Sequence, residues 1–504
     1  MGRTVRRIIS VLPAVAVQAL LLVVLIRWMS PYAAVINFIL SIFSIFLVLY
    51  IIIKREEAAY KTLWLLVILP FPLAGAVLYL LFGNKRTAHP LARRLAVAAP
   101  PSAPHDDNAA ICKIRSEEPR LAQTFAYLRK MTGSPVLANE SAKYYPLGDD
   151  MFPDMLHDLE SAEKFIYVEY FIIHHGEMFD AMLDIMRRKV QDGVDVRVIY
   201  DDLGSISTFS ARDRRELIEA GIRCISFNPM LAVGGTLNYR DHKKILAIDG
   251  RIAYTGGINL ADEYINRKVR FGHWKDTGFR ITGQSAKVFT DMFLEFWNAF
   301  AEWTPEPITS ELPAELSPLG SEPDGYVLTY YDSPIRSDAV SYNLYIDILS
   351  QAKDYVWFYT PYFTPGDELQ EAFIRAAQRG VDVRIVMPGI PDKKIIFRLS
   401  HSYYQALLEA GVKIYQYDPG FIHAKACIAD DVIGTVGTVN LDYRSLFLHF
   451  ENNSLFYKAS LLDDMKKDFM QTLSKSTEQK PYDRKKYMRR WIVDGLLRII
   501  APLC

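Results

Sequence analysis

At 504 residues the chain is too long for one hydrophobic core, and with 50% hydrophobic residues it points to several domains, one of them tied to a membrane. Lys plus Arg equals Asp plus Glu, 58 against 58, so no global basic field marks nucleic acid as the partner. Cys112, Cys224, Cys427 and Cys504 lie far apart, with no CxxC or zinc-type Cys/His spacing, and are expected to be reduced and mostly packed in cores.

Residues 1–85 read as a membrane anchor. Ile8 to Ile26 and Tyr32 to Ile53 are uncharged, nearly all apolar, and meet the roughly 20-residue requirement for a spanning helix. A cleaved signal peptide is the alternative for the first run, but it is long and no small-x-small site precedes Tyr32. A third run, Leu63 to Phe82, is interrupted by Pro70 and Pro72 and is expected to be kinked or re-entrant. Basic clusters flank the runs: Arg3, Arg6 and Arg7, then Lys54, Arg55 and Lys61, then Lys85, Arg86, Arg93 and Arg94. A spanning hairpin followed by a re-entrant segment puts all three on the cytoplasmic side, which makes a multi-pass protein of the cell membrane with cytoplasmic catalytic domains.

Residues 86–135 follow as a linker, with AVAAPPSAPHDDNAA lacking any hydrophobic period. Two segments, 136–304 and 326–478, then repeat each other across a second linker, 305–325. FIYVEYFII (Phe165 to Ile173) reads as a buried strand, a helix runs to Gln191, and DGVDVRVIYDD (Asp192 to Asp202) reads as a turn and a second strand. VWFYTPYF (Val356 to Phe363), a helix to Gln378 and RGVDVRIVMP (Arg379 to Pro388) run the same way. LIEAGIRCISFNP (Leu217 to Pro229) and LLEAGVKIYQYDP (Leu407 to Pro419) continue the parallel as helix end, glycine stop and strand. Strands alternating with helices, twice over, predict an α/β protein of two sheets flanked by helices. The tail, 479–504, has a basic start, a Trp and apolar residues at helical spacing, as an interfacial helix on anionic lipid would. Packing against a domain is its alternative.

Each half carries one motif with chemistry. His242, Lys244, Asp249, Gly256, Gly257 and Asn259 recur at identical spacing as His423, Lys425, Asp430, Gly437, Thr438 and Asn440. In a strand, His and Lys at i and i+2 share a face, and a glycine-rich loop after the hairpin brings an Asn and backbone amides to the same pocket. Two facing halves then gather two imidazoles, two ammoniums and two amides around one anionic group, which suits a phosphodiester. One His attacks phosphorus, and the other protonates the leaving alkoxide and later deprotonates the incoming nucleophile. Lys244, Lys425, Asn259 and Asn440 are the expected phosphate ligands. This chemistry calls for no metal and no cofactor. Asp249 and Asp430 complete the two motifs and are counted with their catalytic residues, although at the hairpin turns their part is assigned mainly to structure or local charge balance. Each imidazole needs a carboxylate to fix its tautomer: Glu451 is the candidate for His423, and Asp276, with Glu263 second, for His242. His174 and His175 read as strand-end residues, and His89, His105, His157, His401 and His449 receive no role.

With these motifs the sequence resembles the phospholipase D superfamily, and bacterial cardiolipin synthases in particular. The resemblance covers almost the whole chain: LYLLFG (Leu78 to Gly83), YRDHKKILAIDGRIAYTGGINLADEY (Tyr239 to Tyr264), FGHWKDT (Phe271 to Thr277), GFIHAKACIADDVIGTVGTVNLDYRS (Gly420 to Ser445) and WIVDGLLRIIAPLC (Trp491 to Cys504). It implies two tandem phospholipase D-like domains with the active site between them. It also implies transfer of a phosphatidyl group from one phosphatidylglycerol to another, giving cardiolipin and glycerol through a covalent histidine, with His242 favoured as the nucleophile. Thr438, where the family has Gly or Ser, is a departure that a small hydroxyl residue can accommodate. The partners implied are two phosphatidylglycerol molecules and anionic lipid, with no nucleic acid. A hydrolytic phospholipase D releasing phosphatidic acid shares the motifs, and a non-catalytic scaffold binding anionic lipid is the alternative of another class.

Overall fold

The computed structural model describes residues 33–54, 56–83, 89–98, 108–139, 141–229, 238–301, 323–336 and 338–503. The expected spanning run Ile8 to Ile26, the basic residues Arg3, Arg6, Arg7, Arg55, Lys85 and Arg86, most of the 305–325 linker and Cys504 lie outside them. The chain divides into two compact units, residues 1–90 with 229–238, and residues 91–228 with 239–504.

In the first unit a helix runs Ala33–Ile53 and a second Ala58–Ile68. The interruption expected at Pro70 and Pro72 is there: the chain breaks at Leu69 to Phe71 and restarts as Pro72–Leu78, with Pro72 in the first turn, where its missing N–H costs nothing. A π-helical turn, Tyr79–Gly83, completes the unit. Gly75 lets the broken halves touch, since a Cβ there would lie 2.6 Å from the Ile68 Cα. Trp64 packs edge-on against Tyr60 and Tyr79. Among the described residues no helix is long and apolar enough to cross a membrane, so these helices lend the multi-pass expectation no support. They do present apolar side chains outward, among them Phe38, Phe46 and Ile53.

The second unit holds both repeats. β1 (Leu137–Ala138) and β2 (Ala142–Tyr145) precede the parallel strands β3 (Phe165–Tyr170), β4 (Asp195–Asp201) and β5 (Arg223–Phe227), whose connections are the helices Glu177–Gln191 and Ala211–Glu219. The first helix puts Met178, Phe179, Met182, Leu183 and Met186 on one stripe against the sheet, with acids in its first turn and bases in its last. The second starts with a capping box between Ser210 and Asp213. β6 (Arg240–Asp241), β7 (Lys244–Ile248), β8 (Ile252–Gly256), β9 (His273–Lys275) and β10 (Gly278–Thr282) follow, and the seven-stranded sheet has the order β2-β10-β8-β7-β3-β4-β5.

The other half repeats this as β11 (Tyr326–Asp332), β12 (Tyr355–Tyr359), β13 (Asp382–Pro388), β14 (Lys413–Tyr417), β15 (Gly420–Ile422), β16 (Ala426–Ala429), β17 (Ile433–Gly437), β18 (His449–Tyr457) and β19 (Ser476–Glu478). Its sheet runs β1-β11-β18-β17-β16-β12-β13-β14-β19, so each half has the same parallel trio beside an antiparallel hairpin. The strands anticipated from both repeats are therefore present.

One boundary expectation needs correction. Residues 108–132 are not linker: they form the helices Asn108–Glu117 and Pro119–Thr132, whose Ile114, Phe125 and Leu128 pack with Leu328, Tyr345 and Val356 in the second half's core. The prolines and alanines before them hid a helical pair whose apolar residues are spaced for burial.

The halves also exchange strands. β6, just before His242, pairs in parallel with β18 of the other half, and β15, just before His423, pairs with β9 of the first. A buried ion pair, Lys275 to Asp468 at 2.7 Å, reinforced by Tyr144 at 2.8 Å from Asp468, ties the halves together.

Candidate active site

Both HxK segments sit where the chain leaves an exchanged strand and enters its own hairpin. His242 and His423 therefore lie just outside the strands rather than within one, as strand geometry alone had suggested. Their backbone amides donate to the other half: His242 to Phe450 O at 2.8 Å, His423 to Lys275 O at 2.7 Å. The next residue along each receiving strand is a carboxylate.

That exchange corrects the expected pairing. His242 Nδ1 meets Glu451 at 2.8 Å and His423 Nδ1 meets Asp276 at 2.7 Å, so each imidazole is oriented by the opposite half. Glu263 takes neither role and pairs with Arg270. Both carboxylates are fully buried, so Nδ1–H donation to a carboxylate oxygen fixes the tautomer and leaves each Nε2 with a lone pair for chemistry.

Asp249 and Asp430, counted with the catalytic residues of their motifs, stand at the hairpin turns and hold backbone there. Each turns the hairpin with positive φ (53° and 54°) and accepts three backbone N–H bonds from the start of its central strand. Asp249 takes those of Glu163, Lys164 and Phe165, and Asp430 those of Lys353, Asp354 and Tyr355.

Lys244 and Lys425 are buried, each donating to the carbonyl of its own histidine. Burial, opposed by Glu451, pulls Lys244 down to about 7. Burial opposed by Asp276 pulls Lys425 down to about 8. Burial and Lys425 lower His423 to about 4, and burial with Lys244 and His449 lowers His242 well below its ordinary range. Lys425 and His423 are felt at His242, and Lys244 at His423, so the two motifs face one pocket.

The carboxylates differ. Burial drives Glu451 well up, whereas at Asp276 the same burial is outweighed by Lys425, His423 and the Thr277 amide, and its proton affinity falls. Their supports differ too. Thr438 donates its hydroxyl to Glu451 at 2.5 Å, while the matching Gly257 makes room for the shorter Asp276, whose Oδ1 an added Cβ would overlap. The departure at Thr438 is thus a working part of one half.

Asn259 and Asn440 follow the hairpins, nearly buried. Asn259 accepts from the Ile172 amide at 3.1 Å and donates to Tyr264 at 2.8 Å, and Tyr264 stands edge-on to His423. One amide hydrogen of Asn259 remains for a ligand. Asn440 Oδ1 is buried without a hydrogen-bond partner.

His449, given no role from sequence, stands beside His242 with ring centroids 5.5 Å apart and Nδ1 3.5 Å from Glu451 Oε1. Arg444 donates to its Nε2 at 3.2 Å, which assigns the proton to Nδ1, toward Glu451. The signal was available: His449 precedes Glu451 by two residues, the spacing that shares a strand face. Among the described residues, His242, His449 and Glu451 are also the set that could ligate a metal, their ligand atoms lying within 4.8 Å of one another.

A family model described as cardiolipin synthase, PLD-like domain, matches residues 155–293 and again 345–473, and one described as phospholipase D-nuclease N-terminal matches residues 39–84. The chain is 42% identical to a Streptococcus mutans protein described as uncharacterized, over 90% of this chain and 99% of that one. It is 32% identical to a cardiolipin synthase of Alkalihalophilus pseudofirmus, over 94% of each. Among solved structures, phosphatidylserine synthase of Haemophilus influenzae superposes with a TM-score of 0.55 at 15% identity, over 76% of this chain and 100% of that one, a likeness of fold.

Proposed function

The chain belongs to the cardiolipin synthase family of paired phospholipase D-like domains, enzymes of phosphatidyl transfer, and from that premise we propose that it joins two phosphatidylglycerols into cardiolipin. The observation that carries the reading is the crossed pair, His242 on Glu451 and His423 on Asp276, which prepares two Nε2 atoms in one cationic pocket.

In the first step His242 Nε2 attacks the phosphorus of one phosphatidylglycerol. The bond from phosphorus to the glycerol headgroup oxygen breaks, and protonated His423 gives that oxygen its proton, so glycerol leaves. His423 is neutral on its own at physiological pH, and the phosphodiester anion beside it raises its proton affinity. In the second step a headgroup hydroxyl of another phosphatidylglycerol gives its proton to His423 and its oxygen to phosphorus, and the phosphorus–nitrogen bond breaks. Lys244 and Lys425 carry the charge on the non-bridging oxygens, aided by Asn259 and Asn440. Neither step calls on a metal or cofactor. Glu451, with Thr438 and His449 about it, suits His242 for the attack.

On this reading residues 1–85 attach the enzyme to the membrane, with the catalytic unit on the cytoplasmic face. Holding the enzyme on the surface where donor and acceptor both reside favours a lipid hydroxyl over water. Expressed in a bacterial host stripped of its own cardiolipin-forming enzymes, the chain is expected to restore cardiolipin, and the H242A and H423A variants are not. Phosphatidic acid accumulating without cardiolipin would assign hydrolysis instead.

A further inference from the structure

The helix Arg484–Ile500 is amphipathic in the reverse of the usual sense. Asp494 and Arg498 face the protein: Asp494 takes two bonds from Arg398 at 3.1 Å, and Arg498 reaches Ser402 Oγ at 3.2 Å and lies over the Tyr403 ring. Beyond it, Ala501 is buried in the core, and Leu503 O accepts from Arg444. Its apolar stripe faces out, with Trp491 53%, Ile492 58% and Leu496 61% exposed, and Met488 and Ile499 along the same line. A surface helix in water buries the apolar stripe and solvates the polar one. Here the Arg398–Asp494 ion pair and the Arg498 contacts hold the helix in place, and the apolar stripe is left for another medium.

Two loops share this character. Arg267, Lys268, Val269 and Arg270 form one exposed run, with Val269 82% exposed. Lys393, Lys394 and Ile395 form the other, with Ile395 62% exposed, at the start of the helix Lys394–Ser402 on which the C-terminal helix packs. The stretches adjoining the two loops meet at Gly420: Gly272 forms a bridge with it and the Ile390 amide donates to its carbonyl. Gly420 opens β15, the strand that delivers His423. Asp392, beside the second loop, accepts from Tyr362, whose ring lies 6.4 Å from that of Phe421, and Phe421 stacks on His423 at 5.9 Å, so this loop lies near the pocket.

We propose that the outward stripe of the C-terminal helix and the two basic-apolar loops, Arg267 to Arg270 and Lys393 to Ile395, form one face that docks on an anionic lipid bilayer and sets the catalytic pocket against its substrate. The occupant is a bilayer because apolar side chains alternate with Lys and Arg around the pocket, as an acyl layer beneath anionic headgroups requires. The proposal rests on the lipid-substrate reading above, and its tests separate the two.

The direct test places an environment-sensitive dye, one at a time, at 269, 395 or 496 in the full-length chain, reconstituted into phosphatidylglycerol bilayers with brominated acyl chains. A fourth label goes at Glu163, beside the Asp249 turn at the far end of the strands. Quenching of the first three dyes by at least threefold, with the fourth unaffected, is expected. Dyes at 269, 395 and 496 that bromine does not quench would overturn the docking face, whatever the enzyme makes. The kinetic test compares wild type with W491E/L496E on phosphatidylglycerol vesicles and on water-soluble short-chain phosphatidylglycerol. Turnover is expected to fall more than tenfold on vesicles and stay within twofold on the soluble lipid. Equal loss on both, or loss on neither, would overturn the proposal, and equal loss would make the stripe a folding element or a protein contact. If wild type forms no cardiolipin from either lipid, the functional reading fails while the quenching result still decides the docking face.

Discussion

Replacing Glu451 with Gln exchanges one acceptor oxygen for an NH2 donor in a group that His242 and Thr438 both address, at 2.8 and 2.5 Å. The amide can turn either way. If its NH2 faces His242, the imidazole must move its proton to Nε2 and loses the lone pair that attacks phosphorus. If it faces His449, it meets an Nδ1–H whose proton Arg444 holds in place. The first costs His242 its attacking tautomer, and the second turns two N–H groups toward each other across 3.5 Å. Leaving a buried partner without its hydrogen bond costs about 1–3 kcal/mol, and a wrong tautomer in a comparable histidine–carboxylate pair lowers kcat about 10⁴-fold. The expected loss for E451Q is therefore about 10² to 10⁴ in kcat, with KM little changed. Histidine-selective ¹⁵N NMR localises the effect: E451Q should move the His242 Nδ1 resonance and spare His423, and D276N should do the reverse. An E451Q spectrum in which His423 moves and His242 does not would refute the crossed pairing.

Further outcomes follow from the same geometry. G257A puts a methyl group into Asp276, and should lower kcat by about 10²-fold or more through His423. T438G, which only withdraws a hydroxyl donor from Glu451, should cost about tenfold by steady-state kinetics, with T438S near wild type. The pH profiles should run in opposite senses. Because Lys244 and Lys425 are held down to about 7 and about 8, they lose charge above those values, and kcat/KM should fall there. Stability of the unliganded enzyme should instead rise over that range, as the native lysines need no longer hold a proton that the unfolded chain keeps up to about 10.4. On the acid side, His423 refuses a proton until about pH 4 while the unfolded chain takes one near 6.5, so about 3 kcal/mol of stability is lost between them, measurable by denaturant titration. K275A should cost about 3–5 kcal/mol in the same titration, because it strands the Asp468 charge, 6% exposed, between the two halves.

Much of the catalytic unit was legible because its information is local. A buried strand such as Phe165–Tyr170, an amphipathic helix such as Glu177–Gln191 and a glycine stop such as Gly221 each announce themselves within a dozen residues, and the second copy repeats them. The aspartate turns were legible for the same reason, since Asp249 acts on its own hairpin and the strand beside it. The carboxylate pairing was not. Chain proximity favoured Glu451 for His423 and Asp276 for His242, but the exchange of β6 and β15 between the sheets is a long-range pairing of two- and three-residue strands with no periodic signature. The polarity of the tail was hidden similarly. Its periodicity marks a stripe, but only the positions of Arg398 and Ser402, about 96 residues upstream, decide that the polar side turns inward.

The central claim, covalent transfer between two lipids at a pair of cross-oriented histidines, is tested most directly by giving the purified full-length enzyme phosphatidylglycerol alone and measuring products together. The account predicts cardiolipin and free glycerol in equal amounts, with little phosphatidic acid, and loss of both in H242A. Phosphatidic acid and glycerol without cardiolipin, or undiminished cardiolipin from H242A, would contradict it.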